Sequence, residues 1–273
     1  AEVERRAAGA PAPVRATRSL QAEEAAPIRF HAVYQLEGVP ANDAAYLRET
    51  LLPHTFRELA GVLSVRRPVD GVLRIPRQCT AQYEQYPYKC LRYHQGCMDA
   101  DLDPSVMEAG ELCEDNSDRS CTQYPKGEGA PDADFVVFVT SKQTASCSGT
   151  TAAYAGFCSL DTEADSRPLA GNVNFCPGRI KTGADDLPEM IELGMHELMH
   201  ALYFSDSLYE FYVEDDGKTF VGRDNVLATV SHSSAVREST ATYVKTARVV
   251  QEARDYFQCD TLAGGELENE GGD

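Results

Sequence analysis

Residues 185–204 read DDLPEMIELGMHELMHALYF and carry the strongest helical pattern of the chain. Its large apolar residues recur nearly all the way round a helix, and they are Leu187, Met190, Ile191, Leu193, Met195, Leu198, Met199 and Leu202. The carboxylates of Asp185 and Asp186 stand in the first turn, where they complement the positive end of the helix dipole. A helix that is apolar on nearly every side belongs in a protein core. The sequence therefore predicts a buried central helix.

This helix contains the motif HELMH, from His196 to His200. Residues four apart project from one face of a helix, so the two imidazoles can bind one metal ion. Glu197 lies about 100° further round the helix and can act as general base toward a water on that metal. The alternative is a pair of core histidines without a metal, but each buried imidazole and the carboxylate would then need its own partner. The motif favours a zinc site.

The composition is that of a globular protein, with 42% hydrophobic and 25% charged residues among 273. These values exclude a collagen, a coiled coil and a chain that is disordered throughout. There are 25 Lys and Arg against 43 Asp and Glu, and the net charge of −18 argues against nucleic-acid binding through phosphates. The longest apolar runs, such as residues 135–139, are far too short to cross a membrane. We therefore expect no nucleic-acid partner and no transmembrane segment in this chain.

Nine cysteines are present, and eight of them lie between Cys79 and Cys176. No Cys-x-x-Cys pair occurs, so a zinc ribbon or a thioredoxin-like motif has no support. Irregular spacing in a loop-rich stretch favours disulfides, which form in an oxidising compartment. The count is odd and Cys259 stands apart, so it is either a free thiol or joined to a cysteine outside this chain. The expected location is extracellular or at the cell surface.

The N-terminal third divides by its local pattern. Residues 1–27 are rich in Ala, Arg, Glu and Pro, and we expect a disordered leader because so few large apolar groups cannot offset the entropy of ordering. Residues 28–34 fit a strand. Apolar residues at helical spacing then predict a helix over residues 42–63, with a kink at Pro53.

The remaining segments give weaker signals. Residues 77–133 are rich in Cys, Tyr, Pro and Asp and show little periodicity. Strands are predicted at residues 72–75, 135–140 and around 171–175, of which the run FVVFVT at 135–140 is the best buried strand of the chain. Ser233 and Ser234 are predicted to cap a second helix that runs to about residue 258.

The stretch HELMHALYFSDSLYEFY, residues 196–212, resembles the active-site segment of leishmanolysin-type zinc metalloproteases, which are metzincins. Other stretches resemble that family in the same order along the chain: RIPRQC at 74–79, DADFVVFVT at 132–140, RPLAGNVNFCP at 167–177 and ARDYFQCDTLAGGELENEGG at 253–272. The resemblance therefore runs from about residue 28 to the C-terminus.

The resemblance implies an α+β fold: a metzincin-like (zincin) catalytic subdomain with a twisted mixed sheet, a central active-site helix and a disulfide-rich loop region. It implies zinc-dependent cleavage of proteins or peptides, with His196 and His200 as metal ligands and Glu197 as general base. Residues 28–204 would form an N-terminal subdomain that ends in the active-site helix, and 205–273 an insert that stops before the third ligand. The run FVVFVT resembles the edge strand that binds extended substrate, the alternative being a plain core strand.

Two positions depart from the family pattern. Members carry Gly three residues after the second histidine, where this chain has Tyr203, and Tyr tolerates a left-handed backbone poorly. The family's third ligand, a histidine, would follow Asp273. His232 and, as a rival, Glu238 are the candidates for a third ligand within the chain, although neither matches the family position. His31, His54 and His94 are interpreted as core or surface residues.

The resemblance also implies a disulfide between Cys121 and Cys158. Pairs of Cys147 with Cys176 and of Cys79 with Cys90 are predicted from the proximity of flanking strands and of sequence, respectively. Cys259 should be free here, because its family partner lies beyond residue 273.

Two other function classes stay open at this point. One is a catalytically inactive relative that acts as an adhesion or binding module, and the other is a disulfide-stapled structural domain without a metal. Zinc content separates the structural domain from the other two, and hydrolysis of a denatured protein separates the enzyme from the inactive relative.

Overall fold

A computed structural model describes residues 25–267 except 84–85, 115–119, 163, 165, 215 and 234–237. The strands are β1 (Ala26–Pro27), β2 (Phe30–Gln35), β3 (Ser64–Val65), β4 (Val72–Leu73), β5 (Cys79–Tyr83), β6 (Tyr86–Tyr93), β7 (Gly96–Cys97), β8 (Ala100–Asp101), β9 (Gly110–Cys113), β10 (Cys121–Tyr124), β11 (Ala130–Pro131), β12 (Phe135–Thr140), β13 (Ala153–Leu160), β14 (Pro168–Phe175), β15 (Leu227–Ser233), β16 (Glu238–Val244) and β17 (Gly265–Glu266). The α-helices are α1 (Ala41–Ala45), α2 (Leu52–Val62), α3 (Leu187–Leu202), α4 (Arg223–Val226) and α5 (Ala247–Phe257). The predicted mixture of helices and sheets, an α+β fold, is confirmed.

The central sheet has four strands in the order β13-β14-β12-β2. Strand β12 runs parallel to β14 and to β2, whereas β13 is antiparallel to β14 and forms an edge. Every residue of β12 is buried, as expected for an interior parallel strand that is covered on both faces. The prediction of a buried strand is therefore confirmed. The comparison of FVVFVT with an edge strand is wrong, because β12 has neighbours on both sides and β13 occupies the edge.

Helix α3 packs on one face of this sheet, against β13 and β14 and against α2. The predicted central helix is confirmed, since its apolar residues belong to one core with Phe135, Val137 and Val139 of β12. The helix approaches β14 closely at Gly171, where a Cβ would come within 3.0 Å of Ala201. Glycine at that position therefore sets the distance between the helix and the sheet.

The helical region before the sheet core begins at Ala41 and ends at Val62. This region includes a π-helical stretch, Tyr46–Leu51. The stretch ends two residues before Pro53, which lies in the first turn of α2. Proline has no N–H to donate, and the first turn of a helix is where that loss is tolerated. The break predicted at Pro53 thus takes the form of a wide turn immediately upstream.

A second apolar cluster covers the other face of the central sheet. It joins Val136 and Phe138 of β12 to residues from the connecting segments, namely Leu73, Ile75, Cys97, Ala100, Val106, Met107, Ala130 and Ala133. Part of this cover comes from the hairpin formed by β7 and β8. The sheet is therefore sandwiched between α3 and the segments of residues 73–133.

The region of residues 77–133, which shows little periodicity in its sequence, contains a four-stranded sheet in the order β10-β9-β6-β5. Disulfides staple it and its surroundings, and they are Cys79–Cys90, Cys97–Cys158, Cys113–Cys121 and Cys147–Cys176. The predicted Cys79–Cys90 and Cys147–Cys176 pairs are confirmed, as is the free thiol of Cys259. The Cys121–Cys158 pair is wrong. Cys121 lies directly opposite Cys113 across the β9–β10 ladder, and this pairing brings the two side chains together.

The C-terminal part forms a sheet in the order β15-β16-β17. Helix α5 packs against β17. The helix predicted from Ser233 to about residue 258 is wrong in its first half, because Ser233 ends β15 and residues 238–244 form β16. Ser234 lies outside the described residues. β-branched residues in both segments favour strands over helix. The predicted helix survives as Ala247–Phe257.

Two further expectations concern the ends of the chain and the membrane. Most of the leader predicted at residues 1–27 lies outside the described residues, and its last two residues, Ala26–Pro27, pair with Ser64–Val65. Within the described ranges, no helix combines the length and the apolar character needed to span a bilayer.

Candidate active site

A cleft of about 1000 Å³ lies between the edge strand β13 and the segment after α3. Tyr154 and Ala155 of β13 line one side of it. The other side carries residues from the C-terminal sheet and its connections, namely Leu227, Thr229, Thr242, Glu266 and Leu267. His196, Glu197 and His200 line the same cleft from α3. The structure thus brings the three residues of the predicted site together in one cleft beside the central sheet.

The two histidines of the motif face one another across one turn of α3. Their Nε2 atoms are 3.2 Å apart, and the rings are nearly perpendicular, at 83°. The Nδ1 atom of His200 lies 2.8 Å from the carbonyl oxygen of Phe204, to which it donates when that nitrogen carries the proton. A bond of this kind orients the ring and leaves Nε2 as the nitrogen directed at a metal.

The donor set fits zinc. Zinc–imidazole distances of about 2.0–2.1 Å and tetrahedral angles would separate two ligand nitrogens by about 3.4 Å. The observed Nε2–Nε2 distance of 3.2 Å agrees with that value without movement of the helix. Two imidazoles on one turn therefore already have the spacing that a shared ion requires.

Glu197 is the buried member of the motif, with 7% of its surface exposed. It follows His196 directly, so its side chain leaves α3 on the neighbouring face and reaches the cleft from the core side. Carboxylates are rarely this buried unless they are paired or functional. Burial limits the number of water molecules around the carboxylate and leaves the cleft as its route to solvent.

The end of α3 differs from what the sequence predicted. Tyr203 follows the helix with φ −159° and ψ −29°, which lies outside the left-handed region that favours glycine. The amides of Tyr203 and Phe204 both donate to the carbonyl of Met199 at 2.9 Å, and the Tyr212 hydroxyl donates to the carbonyl of Tyr203 at 3.2 Å. The expected conflict between Tyr203 and the helix exit is therefore wrong.

Burial raises the pKa of the Tyr203 hydroxyl. It also raises the pKa of Tyr212, with smaller contributions from Tyr209 and Tyr203. Both phenols consequently stay neutral at physiological pH and serve as packing and hydrogen-bonding groups beside the cleft.

The two in-chain candidates for a third ligand lie on the C-terminal sheet. His232 is in β15 opposite Ser239, and Glu238 begins β16 opposite Ser233. The side chains of both lie outside the described residues, so both ligand assignments stay predictions.

Acidic residues that the sequence analysis did not single out also line the cleft: Asp206, Asp224 and Glu266. Asp206 pairs with Arg223, and this hydrogen bond lowers the pKa of the Asp206 carboxyl. Glu266 lies in the segment ELENEGG that carries part of the family resemblance, which was the available signal. The described part of the chain has one other group of metal-ligating atoms, at Glu111, Cys113 and Cys121, but a disulfide consumes both thiols.

Comparison with known proteins identifies the family. The family profile described as leishmanolysin matches residues 105–273, which include the whole of α3. The chain belongs to the leishmanolysin family. Among leishmanolysin relatives, the leishmanolysin-like peptidase of Drosophila melanogaster is 31% identical over 94% of this chain and 42% of its own length. The leishmanolysin-like peptidase of Caenorhabditis elegans is 30% identical over 92% of this chain and 43% of its own length. Leishmanolysin of Leishmania major is 29% identical over 60% of this chain and 23% of its own length.

The chain thus spans less than half the length of the leishmanolysin relatives that it matches over most of its residues. The resemblance predicted from the HELMH segment is confirmed at the level of the leishmanolysin family, whose members are metallopeptidases.

Proposed function

We propose that this chain carries the catalytic helix of a zinc-dependent endopeptidase that hydrolyses peptide bonds in proteins. The observation that carries the proposal is the 3.2 Å separation of the His196 and His200 Nε2 atoms in a cleft that Glu197 also lines. Membership of a metallopeptidase family supports it. A catalytically inactive adhesion module would not need these three residues together, so we do not favour that alternative.

His196 and His200 would hold the zinc through Nε2, with a third protein ligand still to be assigned. The chemistry that zinc supplies when bound is Lewis acidity toward the attacking water and the scissile carbonyl. Glu197 would accept the proton of that water on a carboxylate oxygen and deliver it to the nitrogen of the leaving amine. Its burial in the helix keeps the carboxylate directed at the cleft.

The substrate would lie along β13. Among the described residues, this strand pairs with β14 on one side and with no strand on the other, so its other edge offers backbone groups to an extended peptide. Tyr154 and Ala155 bring this edge to the cleft that contains the histidines. An edge strand antiparallel to the rest of the sheet, beside the metal-binding helix, is the metzincin-like arrangement that we propose here.

We further propose that residues 28–204 form the N-terminal catalytic subdomain and that 205–273 belong to the segment that closes the cleft from the other side. Four disulfides favour an oxidising location, extracellular or at the cell surface. Protein and peptide substrates follow from the peptidase family.

The test is Glu197→Gln in the full-length protein, compared with Glu192→Gln, an exposed glutamate on the same helix. Glutamine keeps the shape of the side chain but cannot accept a proton. We expect Glu197→Gln to retain zinc, measured by elemental mass spectrometry, while hydrolysis of casein falls about 10²- to 10⁴-fold. Glu192→Gln should behave as the parent. Parental rates in Glu197→Gln, or a parent that hydrolyses no protein, would refute the proposal.

A further inference from the structure

The hairpin of β7 and β8 lies across the edge strand β13, on the sheet face opposite α3. Three successive hairpin residues contact β13: Cys97 is joined to Cys158 by a disulfide, Met98 lies on Gly156, and Asp99 accepts a hydrogen bond from Tyr154. The partners are alternate residues of β13, as expected for side chains on one face of a strand. The hairpin therefore follows the strand that we propose as the substrate platform.

The contacts at Met98 and Asp99 are close ones. A Cβ on Gly156 would come within 2.8 Å of the Met98 Sδ atom, so this approach requires glycine in the strand. The Tyr154 hydroxyl donates to Asp99 Oδ2 at 2.6 Å, a length typical of a bond to a charged acceptor. The Thr144 hydroxyl lies 2.6 Å from the same phenol oxygen. Tyr154 is thereby fixed at the end of β13 that lines the cleft.

The hairpin is itself anchored to the central sheet. The side-chain amide of Gln35 in β2 donates to the Asp101 carbonyl at 2.6 Å and accepts from the Asp101 amide at 3.0 Å. The Lys142 ammonium donates to the Asp99 carbonyl at 2.6 Å, and the Asp99 amide donates to the fully buried Asn172 side chain at 3.4 Å. The contacts to β13 thus start from a rigid support and not from a free loop.

The turn of this hairpin is strained at Met98, which has φ +53° and 48% of its surface exposed. A non-glycine residue seldom adopts this left-handed conformation, and it persists where surrounding contacts determine it. Here those contacts are the Cys97–Cys158 disulfide, the packing of Met98 on Gly156 and the hydrogen bond from Tyr154 to Asp99.

We propose that Met98 and Asp99 are positioning residues for the substrate: they hold the free edge of β13 at the height above His196 and His200 at which an extended peptide can pair with it. The proposal rests on the proposed function, because it assumes that β13 binds the peptide. Neither residue touches the reacting atoms. Loss of their contacts would let the end of β13 move and would weaken peptide binding, while the histidines and Glu197 keep their arrangement.

The test compares Asp99→Asn with Asp101→Asn in the full-length protein. Asp101 lies in the same hairpin, and among the described residues its hydrogen bonds are made by its backbone, so its variant is the matched control. With a fluorogenic peptide of about ten residues, we expect Asp99→Asn to raise KM about 5- to 10-fold with kcat within twofold, the loss of one charge-assisted bond. Zinc content and melting temperature should stay close to those of Asp101→Asn.

Two further variants check that the effect passes through the strand. Tyr154→Phe removes the hydroxyl and should raise KM to the same extent, and the double variant Asp99→Asn with Tyr154→Phe should be no worse than either single one. Met98→Gly should also raise KM, because glycine keeps the left-handed backbone but loses the contact with Gly156.

Unchanged KM in Asp99→Asn, or a loss in kcat with KM unchanged, would overturn the positioning role while leaving the protease function intact. A parent without hydrolysis would overturn the protease function instead. In that case, fluorescence anisotropy of the same labelled peptide decides: weaker binding to Asp99→Asn than to Asp101→Asn supports the positioning role, and equal or absent binding refutes it.

Discussion

The Nε2 atoms of His196 and His200 lie 3.2 Å apart, and the Nδ1 atom of His200 lies 2.8 Å from the carbonyl oxygen of Phe204, four residues further along the chain. The contact at Nδ1 therefore orients the ring of His200, and its Nε2 atom faces His196. Such a histidine needs little reordering to bind a metal, which lowers the entropy cost of binding.

Replacement of either histidine should remove the metal. We expect His196→Ala and His200→Ala to lower zinc affinity by more than the roughly 10- to 100-fold that loss of an outer-shell contact costs, because each removes a direct ligand. His54→Ala is the matched control, since His54 also bonds a helix carbonyl four residues away through Nδ1. Competition with a fluorescent chelator measures the affinity. Equal affinity in the His200 and His54 variants would exclude His200 as a ligand.

The third ligand can be tested in the same assay. We expect His232→Ala and Glu238→Ala to leave zinc affinity within about threefold of the parent, because three ligands suffice for a catalytic site and neither residue matches the family position. The His200→Ala variant provides the reference for a lost ligand. A comparable loss in His232→Ala or in Glu238→Ala would identify that residue as the third ligand.

Tyr203 should stabilise the fold more than glycine would at the end of α3. Its φ of −159° lies outside the left-handed region that favours glycine, and its half-buried ring lies 4.6 Å from that of Phe204, centroid to centroid. Tyr203→Gly loses this packing and adds freedom to the unfolded chain, so we expect a destabilisation of about 1–3 kcal/mol with zinc content unchanged. Tyr203→Phe keeps the ring and should match the parent. Chemical denaturation measures both, and a more stable glycine variant would contradict this account.

The buried Asp134 should make stability depend on acid pH. Burial alone would raise the pKa of its carboxyl, but the Arg29 guanidinium and the amides of Val69 and Arg29 bond to it and together lower that pKa. A lowered pKa stabilises the fold fully above about pH 4 and less as the pH falls through the lowered value. We expect Asp134→Asn to lower the free energy of unfolding by about 2–3 kcal/mol at pH 7 and by less near pH 2.

Asp132→Asn is the control for that measurement, because Asp132 is 88% exposed and only 3.9 Å from the Arg29 guanidinium. An exposed pair contributes at most about 1 kcal/mol, so this variant should unfold close to the parent at both pH values. Equal losses in the two variants at pH 7 would show that burial of Asp134 does not matter.

The disulfides should differ in what they contribute. Cys97–Cys158 closes 61 residues and Cys113–Cys121 closes 8. A loop-entropy estimate gives about 4 kcal/mol for the longer loop and about 2.5 kcal/mol for the shorter one. Replacing each pair by two serines should therefore lower the unfolding free energy more for the Cys97 pair. Peptide mapping under non-reducing conditions checks the connectivity, and the reverse ranking of stabilities would contradict the estimate.

The parts that the sequence predicted correctly are those where local pattern and burial agree. Strand β12 is fully buried and the apolar residues of α3 pack into the core, so the apolar pattern of each segment was enough to predict it. The motif histidines and Glu197 meet because helical spacing alone brings them together. That part of the site could therefore be predicted from the residue spacing within one helix.

The parts that failed depend on partners distant in sequence. The edge position of β13 follows from strand order, which no single strand encodes, and FVVFVT was compared with the wrong strand for that reason. The pairing of Cys121 with Cys113 follows from a ladder between two short strands in a segment without clear periodicity. Serine at 233 gave a capping signal, but the β-branched residues on both sides favoured a hairpin.

The crossing of two disulfides has a consequence for biosynthesis. Cys147 lies inside the loop closed by Cys97–Cys158, and its partner Cys176 lies outside that loop. During synthesis from the N-terminus, Cys97 must stay reduced while Cys113 and Cys121 emerge and join, until Cys158 arrives some 60 residues after it. Until then the Cys97 thiolate can attack a disulfide that has already formed nearby, which gives a non-native pair. We expect a disulfide isomerase to raise the yield of correctly paired chain in refolding.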